Sequence, residues 1–321
     1  MITKETTYKK AFEQKSKRLA EKKNARDFLL NAAYASDKRL SEIDSKLAQI
    51  GANLAITALT GNTEQLEIMK SMSVSLTSEK NEILKKAQVE DIVYECGVCS
   101  DTGYVSGKIC ECIKREAAEI MSKELSAQMP LDACTFENFD LKYYSEKEKN
   151  GEIPRRRMTA ILKLCREYAI NFSPETSKNL LFLGGAGLGK THLTLSIVNE
   201  VIKKGYLPVY SSSENLFTSI EAEKFGGEGK GTYEQVLNCD LLVIDDLGTE
   251  MATSFTKSVL YNLVNTRILS GKPTIINTNL TMKEIEEKYT ARISSRLMGE
   301  YDWNKFLGDD IRQQKLLCKQ Q

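Results

Sequence analysis

Over 321 residues, 45 Lys and Arg against 44 Asp and Glu leave a net charge of +1, which excludes a chain-wide positive field as the basis of nucleic-acid binding. No apolar run approaches the roughly 18 residues of a membrane span, and the charged start, residues 1–10, lacks the apolar core of a secretion signal, so a cytoplasmic protein with no membrane partner is expected. A chain of this length suggests two domains, and its eight cysteines are too unevenly placed for a disulfide framework.

Residues 1–90 contain no proline and are rich in helix formers. Helices are expected at about 5–35, 37–59 and 63–88, with breaks near Ala35-Ser36-Asp37 and Gly61-Asn62-Thr63, where Asn62 or Thr63 supplies a cap. In the second, Leu40, Ile43, Leu47, Ile50 and Leu54 form one apolar stripe at three-four spacing. Residues 1–26 carry nine Lys or Arg against three Glu. This excess reads either as a solvated helix face or as a docking surface for an acidic partner or nucleic acid.

Cys96-Gly97-Val98-Cys99 is followed by Cys110-Glu111-Cys112, with turn-forming Asp101-Thr102-Gly103 and Gly107 between. Two such knuckles bring four thiolates to one tetrahedral ion, and zinc suits an all-sulfur site with no redox role; an iron–sulfur cluster is the rival. With no ligand position left open, the role is structural. Lys108, Lys114 and Arg115 are near enough to offset the thiolate charge, while Cys134, Cys165, Cys239 and Cys318 read as small buried hydrophobes. A helix at 113–129 then leads to Pro130 and a charged connection ending at Gly151, and a further helix at 154–171 opens on an exposed Arg155-Arg156-Arg157 triplet.

Gly184-Gly185-Ala186-Gly187-Leu188-Gly189-Lys190-Thr191 follows the apolar run Asn179-Leu180-Leu181-Phe182-Leu183 and precedes an apolar helix. This is the pattern of a P-loop. Glycines let successive N–H groups wrap the β-phosphate of a nucleotide, Lys190 reaches the β/γ oxygens, Thr191 ligates Mg²⁺, and the helix adds its positive dipole end. Strands are expected at 207–210, 241–244 and 274–276. The second ends in Asp245-Asp246, where Asp245 holds Mg²⁺ through water and Asp246 orients the attacking water, with Glu250 as a rival for that water. The third ends in Asn277-Thr278-Asn279, placing an amide at the carboxyl edge where such sheets bind ligands. Between them, residues 211–238 offer Phe217, Lys224, Phe225, Lys230 and Tyr233 around a glycine-rich stretch. That composition fits either stacking on single-stranded DNA or a core helix followed by a linker. Arg292 and Arg296 share one helix face.

Together the P-loop, Ile-Asp-Asp-Leu-Gly at 244–248, Thr-Asn-Leu at 278–280, Arg-Ile-Ser-Ser-Arg-Leu at 292–297 and Gly-Asp-Asp-Ile-Arg at 308–312 resemble the DnaC/DnaI-type bacterial replicative-helicase loaders, AAA+ ATPases that also resemble IstB-type transposition ATPases. The resemblance covers roughly 130–321, and the cysteine knuckles resemble the zinc region of the DnaI branch. It implies an α/β AAA+ P-loop NTPase domain with a parallel sheet at 154–321, bearing a reduced lid. Before it come a helical partner-binding region at 1–90, a zinc-binding module and helix at 91–129, and a linker with an adenine-side segment at 130–153. It further implies Asn279 as sensor 1, Arg296 as an arginine finger acting on a neighbouring subunit, Arg312 as sensor 2, and Phe136 and Phe139 beside the adenine. The implied activity is ATP hydrolysis that loads a hexameric replicative DNA helicase onto single-stranded DNA, with ATP-dependent self-association into a spiral or ring. An IstB-type transposition ATPase, or a nucleotide-gated adaptor with negligible turnover, shares the same core; a small-molecule P-loop kinase would not need the arginine pair.

Overall fold

In the computed structural model, residues 3–60, 63–149, 151–226 and 231–319 are described; Gly61 and Asn62 of the expected turn and residues 227–230, with Lys230, lie outside them. The chain divides into two bodies, Phe12–Cys110 and the combination of Met1–Ala11 with Glu111–Gln321.

Proline-free sequence gives long helices: α1 (Lys4–Ser36), which belongs to the first body from Phe12 onward, α2 (Lys38–Thr60) and α3 (Thr63–Lys86). Asp37 starts α2 by accepting from the Arg39 N–H at 2.8 Å. The α2 stripe is buried at Leu40 and Ile43 and half-buried at Leu47, Ile50 and Leu54, because α3 contributes no fully buried residue to cover its far end. A small core of Ala33, Leu40 and Val89, with Leu30, Tyr34, Ile83 and Leu84 around it, holds the helices together.

The basic run on α1 is divided: Lys9, Lys17 and Lys23 are solvated, as the first expected alternative has it, but other members are spent within the chain. Lys15, Arg18 and Lys22 converge on Glu95, and Arg26 reaches Asp91, so one face of α1 is consumed inside this body. Lys15 also pairs with Asp101 at 3.0 Å, both side chains buried. Asp101 in turn accepts the Glu95 and Cys96 N–H groups at 2.8 and 2.9 Å. Burial alone would raise the Asp101 pKa, but these N–H groups and the Lys15 ammonium outweigh it and hold the carboxyl below its ordinary value. The two-stranded hairpin β1 (Tyr104–Val105) and β2 (Lys108–Ile109) follows.

In the second body, α4 (Glu111–Gln128) and α5 (Pro154–Ile170) precede an alternation of strands and helices: β3 (Asn179–Leu183), α6 (Lys190–Lys203), β4 (Val209–Ser212), α7 (Ser213–Lys224), α8 (Thr232–Asn238), β5 (Leu242–Leu247), α9 (Ser254–Leu269), β6 (Thr274–Thr278), α10 (Met282–Lys288), α11 (Ala291–Glu300), β7 (Tyr301–Lys305) and α12 (Ile311–Lys319). The sheet order is β4-β5-β6-β3-β7 and every pairing is parallel, as expected of an α/β chain whose strands read as continuous apolar runs. The exception is β7, Tyr-Asp-Trp-Asn-Lys, which carries no such run and is a strand because β3 pairs it along its whole length. Register aligns Leu183 with Thr278 and Ser212 with Asp245, so the P-loop, the paired aspartates and Asn279 emerge at one edge.

One arginine assignment changes on folding, and one buried arginine is found that the sequence did not single out. The triplet at the start of α5 is not simply exposed: Arg155 Nε donates to the Tyr144 carbonyl at 2.9 Å and Arg157 Nε to the Lys305 carbonyl at 3.3 Å. Arg267, 1% exposed, spreads its guanidinium over the carbonyls of Val236, Leu237 and Pro273 and the Thr274 hydroxyl, closing the ends of α8, α9 and β6 without a carboxylate partner among the described residues.

Candidate functional site

The loop from β3 to α6 turns through left-handed backbone at Gly187 and Gly189, with φ of 73° and 88°, which only glycine adopts without strain. A Cβ at Gly189 would also stand 2.8 Å from the Phe139 ring and 2.9 Å from the Tyr144 hydroxyl. Lys190 projects back into the loop, donating to the carbonyls of Gly184 and Gly185 at 2.7 and 2.8 Å and to Asn279 Oδ1 at 2.6 Å. Its pKa is lowered by burial, against the raising influence of Asp246 and Asp245.

Thr191 Oγ1 donates to Asp245 Oδ2 at 3.0 Å. Asp245, 5% exposed, accepts as well from Asn277 Nδ2 at 2.6 Å and from the Tyr210 hydroxyl. Thr191 and Asp245 supply a hydroxyl and a carboxylate side by side, a donor set suited to Mg²⁺. Asp246 sits in left-handed backbone, φ 51°, at the register shift that follows Ile244; this turns its side chain out of the strand and into the cavity. Burial and the neighbouring Asp245 raise its pKa, with Lys190 and Arg312 opposing. Glu250 goes elsewhere. It is 5% exposed and accepts from Ser213 Oγ at 2.6 Å, from the Gly248 N–H at 3.0 Å and from the Tyr289 hydroxyl, so its oxygens are engaged away from the P-loop.

A cavity of about 470 Å³ joins these parts, its lining including the polar Lys190, Thr191, Asp246, Asn279 and Arg312 together with Phe139, Tyr143 and His192. Phe139 stacks on Tyr144 with ring centroids 5.7 Å apart and meets His192 edge-on. Tyr144, 1% exposed, donates to the Leu188 carbonyl at 2.9 Å. Of the two phenylalanines expected here, Phe139 reaches the cavity, whereas Phe136 is buried beneath the Arg166 guanidinium. Cys134 is half-buried and lines the cavity, unlike the fully buried Cys165 and Cys239; the Cys318 side chain lies outside the described residues. Sequence reasoning missed Tyr144, His192, Tyr210 and Asn277. Only Asn277 carried a signal, its place at the end of a buried strand.

Arg296 is half-buried and Arg292 exposed on α11. Neither lines the cavity. Among the described residues no carboxylate pairs with either. Arg312, by contrast, reaches the cavity from the first turn of α12, where Asp310 Oδ1 accepts its N–H at 2.8 Å.

In the expected DNA segment, Phe217 is 2% exposed and belongs to the main core, so the core reading holds for it. Phe225 is 73% exposed, and the Lys224 ammonium lies 4.9 Å from the Phe255 ring centre. Glu223 caps α8 by accepting the Gly231 and Tyr233 N–H groups at 2.6 and 2.9 Å.

The Sγ atoms of Cys96, Cys99, Cys110 and Cys112 all lie within 4.8 Å of one another. A tetrahedron of sulfurs about 2.3 Å from zinc has edges of about 3.8 Å, and the Cys96 and Cys110 sulfurs are 3.8 Å apart. Left-handed residues Ser100, Asp101 and Gly103 turn the first knuckle, and Cys110 N donates to the Gly103 carbonyl at 2.9 Å, so the donor set fits the metal. Lys114, expected to offset thiolate charge, pairs with Glu111.

No described helix is long and apolar enough to cross a membrane. A family model described as IstB-like ATP binding protein matches residues 111–311. The protein named replicative helicase loader DnaC of Escherichia coli strain K12 is 29% identical over 184 residues, 56% of this chain and 69% of its own length. Its namesake from Buchnera aphidicola subsp. Baizongia pistaciae is 27% identical over the same extent. A solved structure described as the DnaC helicase loader aligns with 56% of this chain and 99% of its own, at 21% identity and a TM-score of 0.47.

Proposed function

The chain belongs to the IstB-like family of ATP-binding proteins, and from that membership we propose that it is an AAA+ ATPase that loads a hexameric replicative DNA helicase onto single-stranded DNA. What carries the reading is the convergence of Lys190, Thr191, Asp246 and Asn279 on one cavity, in a chain whose relatives are named helicase loaders. Lys190 would exchange its loop carbonyls and Asn279 for the β/γ-phosphate oxygens, leaving Asn279 free to sense the γ-phosphate. Asp246 would orient the attacking water, a role for which Glu250 is too heavily engaged. Mg²⁺ held by Thr191 and Asp245 would neutralise charge on the phosphates. Arg312 would act on the same nucleotide and Arg296 on that of a neighbouring subunit in an ATP-dependent spiral or ring.

In this reading residues 1–90 bind the helicase, and 91–129 form a zinc-stapled module in which Cys96, Cys99, Cys110 and Cys112 hold Zn²⁺. Residues 130–153 carry the adenine side, and 154–321 hydrolyse ATP. Lys224 and Phe225 would touch the DNA strand through charge and stacking. The test is reconstitution with purified replicative helicase and circular single-stranded DNA. Wild type should deposit helicase in an ATP-dependent manner, Lys190→Ala should not, and Lys224→Ala/Phe225→Ala should bind ATP yet load poorly. Loading by Lys190→Ala equal to wild type, or partnership with a transposase instead of a helicase, sinks the reading.

A further inference from the structure

Asp245 has no acceptor position to spare. Its Oδ1 accepts from Asn277 Nδ2 at 2.6 Å and the Asp246 N–H at 3.1 Å, and its Oδ2 from Thr191 Oγ1 at 3.0 Å and the Tyr210 hydroxyl. A carboxylate offers about four lone-pair sites, so a metal-bound water can reach it only if one of these donors withdraws. Three have reason to stay. The Asp246 N–H is backbone; Asn277 is fully buried and held at Oδ1 by Thr194 Oγ1 at 3.0 Å; Thr191, in the first turn of α6, can keep its proton on Asp245 while its oxygen lone pairs face a metal. Tyr210 alone sits on an edge strand, half-buried, beside a second cavity of about 540 Å³ that Ser212, Asn215 and Gln128 also line.

Resting on the reading of Thr191 and Asp245 as the Mg²⁺ site, we propose that Tyr210 is a positioning residue whose phenol keeps the place on Asp245 Oδ2 that a magnesium-bound water takes when nucleotide arrives. In the empty site the phenol offsets carboxylate charge beside Asp246 and keeps Asp245 ordered. On loading it yields toward the hydroxyl- and amide-lined cavity, where other polar partners await it. A hydrogen bond to an ionised acceptor is among the stronger ones, so its loss on loading sets how much Mg²⁺ the site requires.

The experiment compares wild type with Tyr210→Phe, which keeps the ring, by titrating Mg²⁺ against binding of a fluorescent non-hydrolysable ATP analogue, with circular dichroism confirming the fold. The variant should half-saturate at about tenfold lower Mg²⁺. In wild type, adding Mg²⁺ to the analogue complex should perturb tyrosine absorbance, and the change should be smaller in the variant by the Tyr210 contribution, Tyr143 at the cavity being common to both. Equal or higher Mg²⁺ half-saturation in Tyr210→Phe overturns the proposal, as does a wild-type tyrosine spectrum that ignores loading, a measurement that needs no variant. Wild-type binding of the analogue that is indifferent to Mg²⁺ would instead remove the Mg²⁺ site reading itself.

Discussion

Replacing Gly187 by Ala tests how the P-loop is tied to the helix that carries Arg312. The added Cβ would stand 2.0 Å from Asp310 Oδ1 and 2.2 Å from its Cγ, so the Asp310 carboxylate must leave. That carboxylate accepts the Arg312 N–H at 2.8 Å at the start of α12, and losing such a cap costs about 1 kcal/mol. Alanine at a φ of 73° costs about 1 kcal/mol more. The sum, about 2 kcal/mol, lowers the melting temperature of a body of this size by roughly 4–8 °C. Because the two costs share one carboxylate, they are not independent. Asp310→Ala alone should cost about 1 kcal/mol, and Gly187→Ala/Asp310→Ala about 2 kcal/mol rather than the additive 3. Calorimetric melts of the four proteins measure this cycle directly. A Gly187→Ala protein that melts with wild type, or a strictly additive double variant, refutes the steric argument. Both single variants should also bind nucleotide more weakly, since Arg312 loses its anchor over the cavity.

Purified protein should contain about one zinc per chain, and Cys96→Ser should lose it and loosen residues 95–115, because small metal modules draw their folding energy from the ion; metal analysis by mass spectrometry that finds none removes the site. Arg296→Ala should bind ATP yet hydrolyse it about a thousandfold more slowly. Mixing it with Lys190→Ala should restore part of the rate at mixed interfaces; folded, assembling proteins that show no rescue would assign Arg296 to its own subunit or to structure.

The P-loop was legible because its chemistry is local: backbone N–H groups, a lysine and a threonine must follow one another in order, so spacing alone displays them. The cysteine knuckles were legible for the same reason, as were the helices at 4–60 and 63–86, where periodic apolar residues and the absence of proline leave few alternatives. The apolar runs of β3, β5 and β6 announced interior strands that are buried on both faces. What periodicity could not show was anything decided by a partner far along the chain. Strand β7 has no apolar pattern of its own and exists through its pairing with β3. Lys15, Arg18 and Lys22 looked like a charged surface until the chain near Glu95 returned to meet them. Asp246 and Glu250 were equal candidates in sequence, being acids close together after one strand. A left-handed turn directs the first into the cavity, and Ser213 and Tyr289 draw the second away. Tyr210 and Asn277 reach Asp245 only because β4 and β6 flank β5, Tyr210 pairing with Val243 two residues before the aspartate. Sequence by itself determined the elements and the phosphate chemistry, because those depend on residues within a turn or two of one another. Only the tertiary structure decided which acid faces the cavity and which cations are spent internally, because hydrogen bonds and burial act across space without regard to distance along the chain.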